Sequence, residues 1–117
     1  MAVGRGRESI VAKRLREARL AASLSQRELG IRAGLDPSVA SPRINQYERA
    51  KHLPDPSMLE RLGRVLDCPL PFFYSADDRL ANLILAYHRA RPAEHRRLKT
   101  IVDDIHRRRR QASAVSP

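Results

Sequence analysis

Apolar residues recur three and four positions apart along most of the chain, with polar residues between them. This spacing places the apolar side chains on one face of an α-helix and predicts a series of amphipathic helices. The first is predicted to begin at Ser9, and its apolar face carries Val11, Leu15, Ala18 and Ala22. No segment alternates as a β-strand does, so the pattern predicts an all-α protein of about seven helices.

The second predicted helix has a clear start. Ser25 precedes Glu28 by three residues, which is the pattern of a capping box. Leu24 and Leu29 stand at the positions of a hydrophobic staple. These signals predict a short helix over the residues up to Gly34, which favours the left-handed turn that ends a helix.

A third helix is predicted to follow the turn at residues 36–41. Ser41 is the predicted N-cap, with Pro42 at the first helical position. Gly30 in the preceding helix leaves room for a close approach of another helix. The turn is long, so the sequence leaves the direction of the third helix open.

The third helix has only one narrow apolar face, formed by Ile44 and Tyr47. Its other faces carry Arg43, Asn45 and Gln46, whose long side chains supply hydrogen-bond donors and acceptors. A helix anchored by one face with such groups on the other meets the requirements for contacting DNA base edges.

Three further helices and one short helical turn are predicted. Ser57 with Glu60 predicts a capping box for the fourth helix, and Ser75 is the predicted N-cap of the sixth. Between them, the aromatic residues 72–74 are predicted to form a short turn that packs into the core. Pro92 begins the last helix, whose apolar stripe is Leu98, Ile101, Val102 and Ile105.

The last two helices are predicted to form a helical hairpin over residues 76–107, joined at an Arg91-Pro92 corner. Two arrangements remain open. The hairpin folds back onto its own domain, or it pairs with the same hairpin of a second chain, which we favour. Residues 1–8 and 108–117 are predicted to be disordered.

Charge is unevenly distributed along the 117 residues, which carry 23 Lys and Arg against 13 Asp and Glu. Residues 1–51 have 11 basic and 5 acidic side chains, and residues 91–117 have 8 and 3, whereas the middle is nearly neutral. A solvated basic surface is one explanation. We favour attraction to a polyanion, because the positive charge coincides with the two short central helices. Arg107–Arg110 is either a second electrostatic contact or a solubilising tail.

Several classes of protein find no support. Cys68 is the only cysteine, so the chain has no internal disulfide and no thiolate cluster for zinc, and a core position in a cytoplasmic protein is expected. The N-terminus lacks the apolar segment of a signal peptide, and no run approaches about 18 apolar residues. No catalytic, metal, cofactor or small-molecule motif is recognisable.

Residues 10–74 resemble the lambda-repressor-like (Cro/repressor, XRE) family of helix-turn-helix DNA-binding proteins. The matching motifs are Leu24-Ser-Gln-Arg-Glu-Leu29, Ala33-Gly-Leu35, Ile44-Asn-Gln-Tyr-Glu-Arg49, and Pro56-Ser57 through Leu66-Asp67. The resemblance implies a five-helix DNA-binding domain, here residues 9–75, that binds an operator as a dimer. The chain departs from the common pattern by about four additional residues between Gly34 and Ile44.

The resemblance also implies roles for single residues. Gln26 would hold a phosphate at the groove edge, and Arg19 with Glu48 would tie the first helix to the recognition helix. Arg14 and Arg16 are further candidates to flank the groove. The predicted DNA contacts are Gln26, Arg27, Ser41, Pro42, Arg43, Asn45, Gln46, Arg49 and Lys51.

These observations predict a sequence-specific regulator of transcription, and a repressor in preference to an activator. Its partners would be double-stranded DNA and a second copy of the chain. Two alternatives stay open. One is an antitoxin whose C-terminal helices hold a toxin, and the other is a nucleic-acid or protein-binding module without sequence preference.

Overall fold

The computed structural model describes the backbone of residues 2–115 and the side chains of residues 9–114. Within that part of the chain there are seven α-helices and no β-strand, which confirms the predicted all-α class. The helices are α1 (Ala2–Ala21), α2 (Gln26–Arg32), α3 (Pro37–Glu48), α4 (Pro56–Leu66), α5 (Leu70–Tyr74), α6 (Asp78–Arg89) and α7 (Pro92–Val115).

The core lies between α1, α2, α3, α4 and α5. Helix α3 packs against α2 and α1, while α5 closes the other side of α1 and supports α6. The rings of Phe72 and Phe73 are buried and meet edge to face with centroids 5.3 Å apart, as predicted, but Tyr74 is exposed and does not join the core. The largest fully buried side chains are Val11, Leu15, Leu29, Ile44, Leu59, Leu62 and Phe73.

The start and end of α2 are as predicted. The Ser25 hydroxyl accepts from the Glu28 amide at 2.9 Å, and the Glu28 carboxylate accepts from the Ser25 amide at 2.9 Å. Gly34 has a φ of +98°. A Cβ built on Gly30 would lie 2.7 Å from the Cβ of Ala40, so α2 and α3 touch where only glycine fits.

The predicted start of α3 is wrong. The N-cap is Asp36, whose carboxylate accepts from the Ser38 amide at 2.9 Å, and Pro37 occupies the first turn. Ser41 is therefore a half-buried residue within the helix, and Pro42 lies inside it. The added residues between Gly34 and Ile44 thus lengthen α3 at its N-terminus. Asp-Pro is itself a helix-start signal, and here it replaces Ser-Pro.

Two other predicted caps are displaced by two residues. Asp55 caps α4 by accepting from the Met58 amide at 2.8 Å, so Ser57 is not the cap. Asp77 caps α6 by accepting from the amides of Arg79 and Leu80, while Ser75 is buried. Asp55 precedes the predicted Ser57 by two residues, and Asp77 follows the predicted Ser75 by two. Either residue type satisfies first-turn amides, so the sequence signal is ambiguous between them.

The outer helices extend beyond their predicted ends. The backbone of α1 is helical from Ala2, not from Ser9, although the side chains of residues 1–8 and all of Met1 lie outside the described residues. Helix α7 continues to Val115 where a disordered tail was expected from residue 108; residues 116–117 lie outside the described part. No Pro or Gly interrupts residues 93–115, and Asp104 pairs with Arg107 and Arg108 one turn later.

The last two helices give the molecule an elongated shape of 61 × 40 × 20 Å. They meet at the predicted corner, where the rings of Tyr87 and His95 have centroids 4.8 Å apart. Beyond this corner α6 and α7 do not pack side by side. None of the described helices is long and apolar enough to cross a membrane.

Candidate nucleic-acid interface

Helix α3 is anchored by one face and exposed on the other. Ala40, Ile44 and Tyr47 are buried at i, i+4 and i+7, and they fix the helix on α1 and α2. The opposite face is formed by Ser38, Val39, Pro42, Asn45, Gln46 and Arg49. Of these residues, Asn45 and Gln46 are half-buried and the others exposed. This face extends one turn further towards the N-terminus than the sequence predicted.

Arg43 and Gln46 lie on the side of α3 that faces the following loop. Together with Tyr47, His52, Leu53 and Asp55 they line a shallow cleft of about 430 Å³. Arg43 is exposed at its edge, whereas the exposed Arg49 is the C-cap at the end of α3.

A network of polar side chains fixes α3 relative to α1 and α2. Arg19 donates from Nε and Nη2 to the two carboxylate oxygens of Glu48, and from Nη1 to the carbonyl of Leu24. Glu48 is 3% exposed, and its bonds raise the pKa of Arg19 above the ordinary value. These bonds tie α1 to α3, which is the structural role predicted for Arg19 and Glu48.

Gln26 joins the same network. Its side-chain amide donates to Glu48 Oε1 at 3.1 Å and to Asn45 Oδ1 at 3.3 Å. The bond orients the Asn45 amide at the junction of α2 and α3. Gln26 and Asn45 thus lie together, and they connect the scaffold to the outward face of α3.

The predicted basic contacts surround this face. Arg27, at the start of α2, and Arg43, Arg49 and Lys51, on and after α3, are all exposed. Among the described side chains, none of these four has an acidic partner within ion-pair distance. Cations without a local counter-charge are available to neutralise phosphate groups.

Arg14, by contrast, is a structural residue. Its side chain is 4% exposed, and its Nε donates to the carbonyl of Ser75 at 2.9 Å. The guanidinium also pairs with Asp78 at 2.9 Å, and this bond, with that from Lys13, lowers the pKa of Asp78. Arg14 joins α1 to the start of α6, so its predicted role at the groove is wrong. Arg16 is exposed.

Ser38 and Val39, both exposed on the first turn of α3, were not among the residues predicted from the sequence. The signal that could have revealed them is Asp36-Pro37, a cap followed by proline at the first helical position. No group of three potential metal ligands occurs among the side chains that the structure describes.

Comparison with known proteins finds a family model and a solved structure to which this chain is similar. The family model of the helix-turn-helix domain matches residues 10–71, which run from α1 into α5. The crystal structure of transcriptional regulator BswR is 38% identical to this chain and superposes with a TM-score of 0.75. That match covers 80% of this chain and 92% of BswR. No curated protein sequence matches significantly.

Proposed function

Because this chain belongs to the family of helix-turn-helix domain proteins, we propose that it is a transcriptional repressor that binds a palindromic operator as a dimer. The family and the likeness to a transcriptional regulator support DNA binding in the control of transcription. Repression, the operator and the dimer are the parts that we add. The lambda-repressor-like arrangement of α1–α5 is the form of the domain that we infer.

The observation that carries the proposal is the exposed face of α3. Three buried residues and the Arg19–Glu48 pair hold the helix firmly, so the backbone that carries its outward side chains is fixed before DNA arrives. Preorganised donors lose little entropy on binding. An α-helix fits the major groove of B-DNA, where each base pair has its own pattern of donors and acceptors.

Within this proposal the residues divide into two groups. In the proposal, Asn45 and Gln46 make paired hydrogen bonds to adenine, and Arg43 makes paired bonds to guanine. Ser41 and Pro42 belong to the helix that enters the groove, and the exposed Val39 is suited to contact a thymine methyl group. To Gln26, Arg27, Arg49 and Lys51 the proposal assigns phosphate contacts, which fix the position of the protein on DNA.

A dimer follows from the small size of one recognition face. Helix-turn-helix dimers bind two half-sites about 34 Å apart, so the operator repeats the two-fold symmetry of the protein. One copy of α3 reads only a few base pairs. Two copies multiply the discrimination between the operator and other DNA.

The test is a salt titration of binding to two duplexes, one enriched from a random-sequence pool and one scrambled. We expect the enriched duplex to bind at least about 10³-fold more tightly. Gln46→Ala should lower that affinity about tenfold or more and leave the scrambled duplex unaffected. Arg27→Ala should weaken both and reduce the salt slope by about one.

The matched control is Arg64→Ala, a substitution of an exposed arginine on α4. It should not change the ratio of the two affinities. Equal affinity of the wild-type chain for both duplexes, with Gln46→Ala lowering each by the same factor, would show that bases are not read.

An antitoxin is the second candidate, and the apolar surface of α6 favours it. Leu80, Leu83 and Tyr87 are 51%, 65% and 60% exposed. Such a stripe suits a helix of a partner protein. Expression with the neighbouring genes, followed by purification, tests this function: a small protein bound in equal amounts supports it, and a chain that purifies alone argues against it.

A further inference from the structure

Helix α7 carries an apolar stripe that no other described helix covers. Ile101, Val102 and Ile105 are 57%, 45% and 48% exposed, and Leu98 is half-buried. The helix has 24 residues, and its charged residues lie mainly on the other faces. A stripe of this kind on a long helix is a surface for pairing with another helix.

The stripe is symmetric about a point between residues 101 and 102. If a second α7 lies antiparallel and is centred there, Leu98 faces Ile105 of the second copy and Ile101 faces its Val102. Every apolar residue then meets an apolar residue, and the contact obeys the two-fold symmetry of a dimer. Among antiparallel arrangements, the apolar pattern thus favours this register.

The charges beside the stripe agree with this register. Glu94 comes next to Arg108 of the second copy, and Arg97 comes next to its Asp104. Asp104 already accepts from Arg107 and Arg108 of its own chain at 2.9 and 3.3 Å, so Arg97 joins an existing network. Parallel pairing instead places Arg97 against Arg97 and Arg108 against Arg108, which is repulsive.

A groove at the α6–α7 corner has room for a few side chains from the far half of the second helix. It measures about 490 Å³, and its walls include Ala86 and Ala90 at the end of α6 and Leu98 and Ile101 on α7. Small residues allow close approach of a helix. Four apolar side chains alone bury less than the roughly 800 Å² per partner of a standard interface, so this groove supplies needed additional area.

We propose that two copies of the chain associate through antiparallel pairing of α7, centred between Ile101 and Val102. The dimer required by the proposed function is thus assigned to one surface and one register. In this arrangement the DNA-binding domains extend from opposite ends of the paired helices.

Cysteine cross-linking of the full chain tests the register. A disulfide needs Cα atoms about 4.4–6.8 Å apart. In the proposed register, the two copies of residue 101 are offset by only about 1.5 Å along the helix, and the two copies of residue 98 by about 10 Å. Ile101→Cys treated with diamide should therefore give a covalent dimer, and Leu98→Cys or Ile105→Cys alone should not.

A mixture of Leu98→Cys and Ile105→Cys chains should cross-link with each other. The wild-type chain is the background control, since Cys68 is 4% exposed. Cross-linking of all three single variants would indicate parallel pairing, and no cross-link with Ile101→Cys would indicate a different interface. Either result overturns the proposal.

Sedimentation of the protein without DNA provides a second measurement. Ile105→Glu should raise the dimer dissociation constant at least about tenfold, because it buries a charge in the apolar stripe. His106→Glu, one exposed position further, should leave it within about twofold. An unchanged dimer with Ile105→Glu, or a wild-type chain that is monomeric, also overturns the proposal.

The proposed function is tested separately by DNA affinity. Cross-links at the expected positions without preference for any duplex would leave the α7 pairing intact and refute base readout. Sequence preference without these cross-links would leave the function intact and refute the pairing.

Discussion

Replacing Arg19 with methionine should destabilise the domain much more than it changes DNA sequence preference. Arg19 holds α1, the α1–α2 connection and α3 together through Glu48 and the carbonyl of Leu24. Methionine retains much of the apolar stem but removes all three donors. Glu48, 3% exposed, then keeps its charge without its cationic partner.

The magnitude follows from the burial of Glu48. Removing one partner of a buried ion pair costs about 3–5 kcal/mol, because the remaining charge is uncompensated. Gln26 still donates to Glu48 at 3.1 Å, so we expect the lower end, about 3 kcal/mol. For a domain of this size that loss lowers the midpoint of thermal unfolding by about 10–15 °C.

The assay is thermal unfolding by circular dichroism at 222 nm, with DNA preference measured well below the midpoint. Arg16→Met is the matched control, because Arg16 is exposed on the same helix, and it should change stability by less than about 0.5 kcal/mol. In Arg19→Met/Glu48→Met, much of the loss should be recovered, because no buried charge remains. Altered sequence preference at unchanged stability would refute the structural role of the pair.

Three other substitutions test the placement of α3. Pro42→Ala should raise stability by up to about 3 kcal/mol in urea unfolding, since proline inside a helix removes a hydrogen bond. Pro56→Ala, at a helix start, should raise stability much less, and equal rises in stability for the two variants would contradict the corrected α3 boundary. Gly30→Ala should cost about 1–3 kcal/mol, because its Cβ meets Ala40 backbone atoms at 3.0 and 3.1 Å; no loss would show that the helices are further apart. Hydrogen bonds from the hydroxyl and the backbone amide of Ser38 lower the pKa of Asp36. The charged Asp36 cap should therefore stabilise the protein fully above pH about 4, and this stabilisation should disappear as the pH falls through the lowered pKa. The difference in unfolding free energy between the wild type and Asp36→Ala should shrink below pH about 4. A difference that stays constant would exclude the charged cap.

Local backbone signals were predictable from the sequence where only one residue could supply them. The Ser25–Glu28 box and Gly34 have no nearby competitor, and both are present as expected. At the start of α3 two signals compete, Asp36-Pro37 and Ser41-Pro42. Because proline is disfavoured within a helix, the local pattern pointed to Ser41-Pro42 as the helix start.

Tertiary packing decides between those two signals. Ala40 is fully buried against Gly30, and that contact requires residues 37–41 to be helical. Residues ten positions apart in sequence make this contact, so a local pattern does not contain it. Arg14 gives the same lesson, because its partner carbonyl at Ser75 lies 61 residues away.

The placement of the outward residues depends on the same information. The sequence correctly separated the anchoring residues Ile44 and Tyr47 from the polar residues of α3. Its later helix start excluded the first turn of the outward face. Helix bounds and rotation relative to the core decide these points.

The central claim is that the outward face of α3 reads bases, and the most direct measurement is the affinity for every single-base variant of the enriched duplex. The wild-type chain and Gln46→Ala should be compared at the same salt concentration. We predict that Gln46→Ala abolishes preference at one position, repeated symmetrically in both half-sites, and that the other positions keep theirs. If Gln46→Ala leaves the whole profile unchanged, or lowers affinity equally at every position, α3 does not read the sequence through this face.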